Sequence, residues 1–120
     1  MPYVDGFVLA VPKRKLKLYK RIAQQAGKVW KKHGALEYME CAGDDLKVKW
    51  GTPFTRTART KKGETVVFSW IVYKSRAHRD SVNRKVMKDP KMQTLMDDTK
   101  NMPFDMKRMA YGGFKSIVEL

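Results

Sequence analysis

Apolar residues along the chain recur with two different periods, and the periods assign the elements. Thr65 to Tyr73 is the most hydrophobic and most β-branched stretch. Its alternate residues form one face of Val66, Phe68, Trp70 and Val72 and another of Val67, Ser69, Ile71 and Tyr73. A strand that is largely apolar on both faces belongs at the centre of a sheet and has to be covered from both sides. Tyr3 to Val11 reads as a second buried strand, ended by Pro12, which lacks the N–H that a ladder needs. Asp5 is its odd member. A carboxylate there either meets water at a sheet end or is held by a partner, because unpaired burial is costly.

From Lys13 to His33 the spacing changes to three and four, with Leu16, Tyr19, Ala23, Ala26, Trp30 and His33 in one stripe and lysines opposite. This predicts an amphipathic helix with Tyr19 and Trp30 turned to the core, His33 at its end and Gly34 as its stop. Ala35 to Ala42 reads as a strand with Leu36, Tyr38, Glu40 and Ala42 on one face and Glu37, Met39 and Cys41 on the other. Gly43 to Asp45 marks a turn, Leu46 to Trp50 extends the strand or forms a ribbon, and Gly51 to Pro53 breaks it. The segment 54–62 is polar and basic, and Lys62-Gly63 turns into the central strand.

Beyond Tyr73, Ser75 is placed to cap a helix over 76–88. Asp89-Pro90 opens a shorter helix through Met92, Leu95 and Met96. Asn101 to Lys107 reads as a loop, and Met109 to Val118 as the last strand, where Gly112-Gly113 suggests a bulge or a close backbone approach. The order β-α-β-β-α-β over 1–120 is that of a single α+β domain, the ferredoxin-like sandwich, with the first and third strands central and both helices on one face. The other face would leave aromatic and aliphatic residues bare, so a second sheet is its expected cover.

Composition then bounds the function. A chain of 120 residues suits one domain. Its 26 Lys and Arg against 12 Asp and Glu give a net charge of +14, which favours weak, salt-sensitive contact with polyanions. Specific nucleic-acid recognition is not expected, because no aromatics interleave with the basic run Arg56, Arg59, Lys61 and Lys62. The single Cys41 excludes an internal disulfide and points to a reducing compartment. No apolar run is long enough to span a bilayer and the N-terminus lacks a secretory pattern, so a cytoplasmic protein without a membrane partner is expected.

Several motifs are distinctive: Tyr3-Val4-Asp5-Gly6-Phe7 with Val11-Pro12, Gly34-Ala35-Leu36 with Glu40-Cys41, and Val66 to Ile71. Asp89 to Met92, Met102-Pro103-Phe104-Asp105, Lys107-Arg108-Met109 and Tyr111-Gly112-Gly113-Phe114 complete the set. Together they resemble the YbaA-like family, a bacterial domain of unknown function, nearly end to end. The resemblance implies a homodimer, the dimeric α+β barrel, in which two ferredoxin-like sheets pack face to face. It brings no reaction with it. The family commonly has Trp where this chain has Ala42 and Asp where it has Pro53.

For chemistry, no nucleophile–base pair, phosphate loop or metal-ligand spacing is found; neither cofactor nor metal is expected. The best polar constellation is Glu40, Trp70, Asp105, Lys107 and Arg108, expected to line a small-molecule site between sheet and helices. The competing reading makes Asp105 and Arg108 a loop-stabilising ion pair and Trp70 a core residue. Function is thus narrowed to small-molecule binding, with a non-catalytic interaction or stress-related role and non-specific nucleic-acid binding as alternatives. Whether the chain is an enzyme is left open.

Overall fold

The computed structural model describes residues 1–97 and 102–120. Its elements follow the chain as β1 (Tyr3–Pro12), α1 (Leu16–Lys32), β2 (Glu37–Ala42), a one-turn α2 (Phe54–Thr57), β3 (Glu64–Tyr73), α3 (Arg76–Lys88), α4 (Pro90–Asp97) and β4 (Ala110–Lys115). The four strands form one antiparallel sheet in the order β2-β3-β1-β4, so the two most apolar strands are central and the ferredoxin-like arrangement holds. Among the described residues no helix is long and apolar enough to cross a membrane.

The register follows the alternation. Tyr3, Asp5, Phe7, Leu9 and Val11 of β1 lie opposite Tyr73, Ile71, Ser69, Val67 and Thr65 of β3, and this set faces the helices. Two buried clusters result. Leu9, Val11 and Val67 pack with Tyr19 and Ala23 of α1, while Tyr3, Ile71 and Tyr73 pack with Val29, Val82, Val86 and Met92. The helix ends are as their sequence suggests. Ser75 Oγ accepts the His78 N–H at 3.1 Å, Asp89 Oδ1 accepts the Lys91 N–H at 2.9 Å, and Gly34 closes α1 at a φ of +115°, where a side chain would be strained.

The opposite face carries Val4, Gly6 and Val8 of β1, Phe68, Trp70 and Val72 of β3, and Phe114 of β4 around a shallow groove of about 590 Å³. Among the described residues no element covers most of it, and only α2 reaches its end, where Phe54 meets Phe68 edge-on at 5.9 Å.

One sequence expectation is corrected. Residues Leu46 to Trp50 neither extend β2 nor form a ribbon, and Trp50 projects into solvent. The basic segment holds the turn of helix α2. Of the two possibilities at Gly112-Gly113, the close approach is the one found: β1 and β4 pair without a bulge, and Gly113 allows the Tyr3 ring to lie on the strand, where a Cβ would collide with its ring and hydroxyl. The expected loop from Asn101 begins outside the described residues, and its later part contains a 3-10 turn at Met106–Arg108.

Candidate functional site

Glu40 sits on β2 directly across from Ser69 of β3, and both side chains project to the helix side of the sheet. Tyr38, two residues earlier on the same strand, shares that face, and Tyr19 descends on it from α1. Both phenols donate to the Glu40 carboxylate: Tyr19 to Oε1 at 2.5 Å and Tyr38 to Oε2 at 2.6 Å. Burial, reinforced by the charge of Glu40, pushes both phenols well above the ordinary tyrosine range, so they stay protonated and remain donors. The close approach of α1 to β2 depends on Gly27. A Cβ there would stand 2.7 Å from two carbons of the Tyr38 ring.

This Tyr–Glu–Tyr group forms the wall between two spaces. Outside it, a cleft of about 760 Å³ runs between α1 and the edge strand β2, rimmed by Lys17, Lys20, Lys28 and Lys31. Inside, a chamber of about 200 Å³ lies between sheet and helices, lined by aliphatic and aromatic side chains and by methionines such as Met87, Met92 and Met96. Tyr19, Ala23, Tyr38 and Glu40 line both. Among the described residues Glu40 is the only charged side chain on the chamber wall. The arrangement can hold an apolar body inside, an anionic or polar end near the lysines, and a fixed carboxylate between them.

The constellation expected from the sequence is divided by the fold. Glu40 lies at the cavity, but Trp70 lies on the opposite face of the sheet, where it packs at 5.5 Å against Phe68 and its Nε1 lies 3.4 Å from Glu37 Oε1. The reason is the period of two: Glu40 pairs with Ser69, so the next residue of β3 points away. Asp105, Lys107 and Arg108 gather elsewhere, at the start of β3. Arg108 binds Glu64 through two parallel bonds of 2.7 and 2.8 Å and reaches Asp105 at 3.2 Å and the Arg59 carbonyl at 3.0 Å. Lys107 contributes its backbone, donating to Asp105 Oδ1 at 3.0 Å and accepting from Arg59 at 3.2 Å. The hydrogen-bonded Arg108 guanidinium holds the Glu64 carboxyl down at about 2. This cluster fastens the chain entering β4 to the start of β3.

Two further polar groups brace the helices. Asp5 is buried, with Arg79 of α3 at 3.5 Å, so its partnered reading is the one observed; burial pushes its carboxyl up while Arg79 pulls it down. Arg79 also donates to the hydroxyls of Tyr3 and Tyr111 at 3.1 and 3.2 Å. His33 and Lys32 at the end of α1 hold Asp89 at 2.7 and 3.3 Å, and the bond to His33 lowers the Asp89 carboxyl to about 2. His33 is a helix-end clamp here.

Sequence alone does not mark Tyr19 and Tyr38 as part of the site. Tyr38 carried a usable signal, being two residues before Glu40 on one strand. Tyr19, which reads as part of an apolar stripe, carried none.

The chain matches the family described as a protein of unknown function, DUF1428, over residues 2–106. It is 44% identical over 119 residues to the uncharacterized protein YbaA of Escherichia coli, with 99% of each chain covered. The YbaA of Shigella flexneri matches with the same identity and coverage, 44% and 99%. Among solved structures, a NIPSNAP family protein from Agrobacterium tumefaciens aligns with a TM-score of 0.58 at 12% identity, over 96% of this chain and 92% of that one. SnoaB, a cofactor-independent oxygenase from Streptomyces nogalater, aligns with a TM-score of 0.55 at 11% identity, over 99% and 96%. At such identities these two likenesses show a shared α+β barrel-type fold and no more. The full-length identity to YbaA and the family match go further: the chain belongs to the DUF1428 family.

Proposed function

We propose that the protein is a homodimer that binds a small apolar molecule between its sheet and helices, against Glu40. The observation that carries this reading is the carboxylate held by two phenols on the wall shared by a lysine-rimmed cleft and an apolar chamber. The ligand's ring or chain fills the chamber, and an anionic end faces Lys17, Lys20, Lys28 and Lys31. The dimer closes the other side. Two copies of the apolar face, packed sheet to sheet, would cover the aromatic residues that α2 leaves open, and an obligate interface of this kind buries about 2,000 Å² or more in total. In that arrangement each cavity opens away from the partner, so both stay accessible.

The test uses 2-naphthoate and naphthalene as paired probes, followed through tryptophan fluorescence, since Trp30 lines the chamber. Wild type should bind 2-naphthoate more tightly than naphthalene, with an advantage that shrinks as salt rises. Replacing Ala23 by Trp, which fills the wall common to both spaces, should abolish binding without dissociating the dimer. Failure of wild type to bind either probe would overturn the small-molecule reading.

A further inference from the structure

The chamber wall carries a carboxylate, which holding an apolar molecule does not by itself require. An acceptor for two phenols needs no charge, and an amide would cost less to desolvate on so apolar a wall. A carboxylate has about four lone-pair sites, and the two phenols occupy one on each oxygen, which leaves acceptor capacity on both. Because the phenols stay protonated, they fix the direction of the group without competing for its proton-accepting role. Directly across the ladder, Ser69 brings a hydroxyl donor to the same chamber. Opposed residues of antiparallel strands have Cβ atoms about 5 Å apart, which suits a proton acceptor and an oxyanion donor acting on adjacent atoms of one molecule.

We propose that Glu40 is a general base that removes a proton from a carbon next to a carbonyl group of the bound molecule, with Ser69 donating to the carbonyl oxygen. This rests on the binding reading above and names its substrate class: apolar, enolisable ketones that carry an anionic group. In the step, the C–H bond breaks and its electron pair forms the C=C bond of the enolate, while the carbonyl π pair moves to oxygen and the proton forms an O–H bond on Glu40. Glu40 then returns the proton to the same carbon or to a conjugated one, so the net reaction is exchange or isomerisation and consumes no oxidant or reductant. Tyr19 and Tyr38 are positioning residues.

The test follows deuterium entry at the α-carbons of 2-tetralone-6-carboxylate in heavy water by NMR, with binding of the same probe measured separately. Wild type should accelerate exchange over buffer. Glu40→Gln should lower the catalysed rate about 100-fold or more and leave binding within a factor of a few. Ser69→Ala should lower it at least about tenfold, again with binding retained. Tyr38→Phe should reduce the rate but not the affinity, a split that a purely structural role would not give. Binding by wild type without catalysed exchange overturns the base and leaves the binding reading standing. Catalysed exchange that survives in a folded Glu40→Gln, or in both Ser69→Ala and Tyr38→Phe should Glu40→Gln not fold, also overturns it. If neither the tetralone nor 2-naphthoate binds, both readings fail together.

Discussion

Ile71 and Trp70 are neighbours on β3 and meet different surroundings. Ile71 is 2% exposed beneath the helices, whereas the face that carries Trp70 leaves Phe68 42% and Phe114 62% exposed. The helix side is interrupted by polar groups, namely Asp5, Ser69, Glu40 and the hydroxyls of Tyr3, Tyr19, Tyr38 and Tyr73, each set among apolar neighbours. The open side has almost none. The difference separates two kinds of apolar surface: one face encloses a cavity lined by a few polar groups, and the other leaves a continuous exposed patch.

The contrast is tested most strongly by truncating the core. Ile71→Ala removes three carbons from a buried position between strand and helices, beside the chamber, and should destabilise the fold by about 3 kcal/mol, read as a lower chemical-denaturation midpoint. The same truncation one residue away, Trp70→Ala, should change the stability of the isolated fold far less and act instead on association. Equal losses of fold stability at the two positions would show that the faces do not differ as described.

Association is broken more cleanly with charge. Phe68→Asp places an unpaired carboxylate on the open face and should weaken the proposed dimer by about 3 kcal/mol, over a hundredfold in dissociation constant. Sedimentation should then show a folded monomer. A wild type that sediments as a monomer at micromolar concentration would remove the dimer, and a Phe68→Asp protein that remains dimeric would move the interface elsewhere.

On the helix side the informative change is small. Gly27→Ala brings a Cβ into the Tyr38 ring, so the ring must shift and its bond to Glu40 must lengthen or break. The expected cost is about 1 kcal/mol of stability from overpacking, accompanied by a slower Glu40-dependent exchange at nearly unchanged affinity. An unchanged exchange rate would detach Tyr38 from the site.

The fold was legible because its signals are periodic. The alternation in β1 and β3, the three-and-four spacing of α1, the Ser75 cap and the Asp89-Pro90 start each point to one local structure, and these agree with one topology. Alternation also shows which residues share a face, but not which of the two sets meets the helices. That missing fact placed Glu40 and Trp70 on one wall. Likewise Arg108 showed a guanidinium beside Asp105, while its main partner, Glu64, lies forty-four residues away and is brought near only by the sheet. Tyr19 reaches Glu40 across twenty-one residues for the same reason. Periods are local, whereas these sites are made by tertiary juxtaposition.

The smallest expected effect concerns the charges that tie the helices and the β4 entry to the sheet. Glu64 is held at about 2, chiefly by the hydrogen-bonded Arg108, and Asp89 at about 2, chiefly by His33. Both lie below their ordinary values of 4.5 and 3.8, so each binds protons more readily in the unfolded chain. Their contribution to stability is therefore complete above about pH 4.5 and is lost as the pH falls toward 2. Asp5 acts in the opposite sense. Its folded value is raised by burial, so protonation of Asp5 favours the folded state and offsets part of the loss. The melting temperature should consequently fall gently between pH 4.5 and 2, and more steeply in Asp5→Asn, from which the offset is removed. Glu64→Gln should melt below wild type at pH 7 and approach it near pH 2. A Glu64→Gln deficit that stayed constant from pH 7 to 2 would mean that packing, not the ion pair, accounts for the role of this residue.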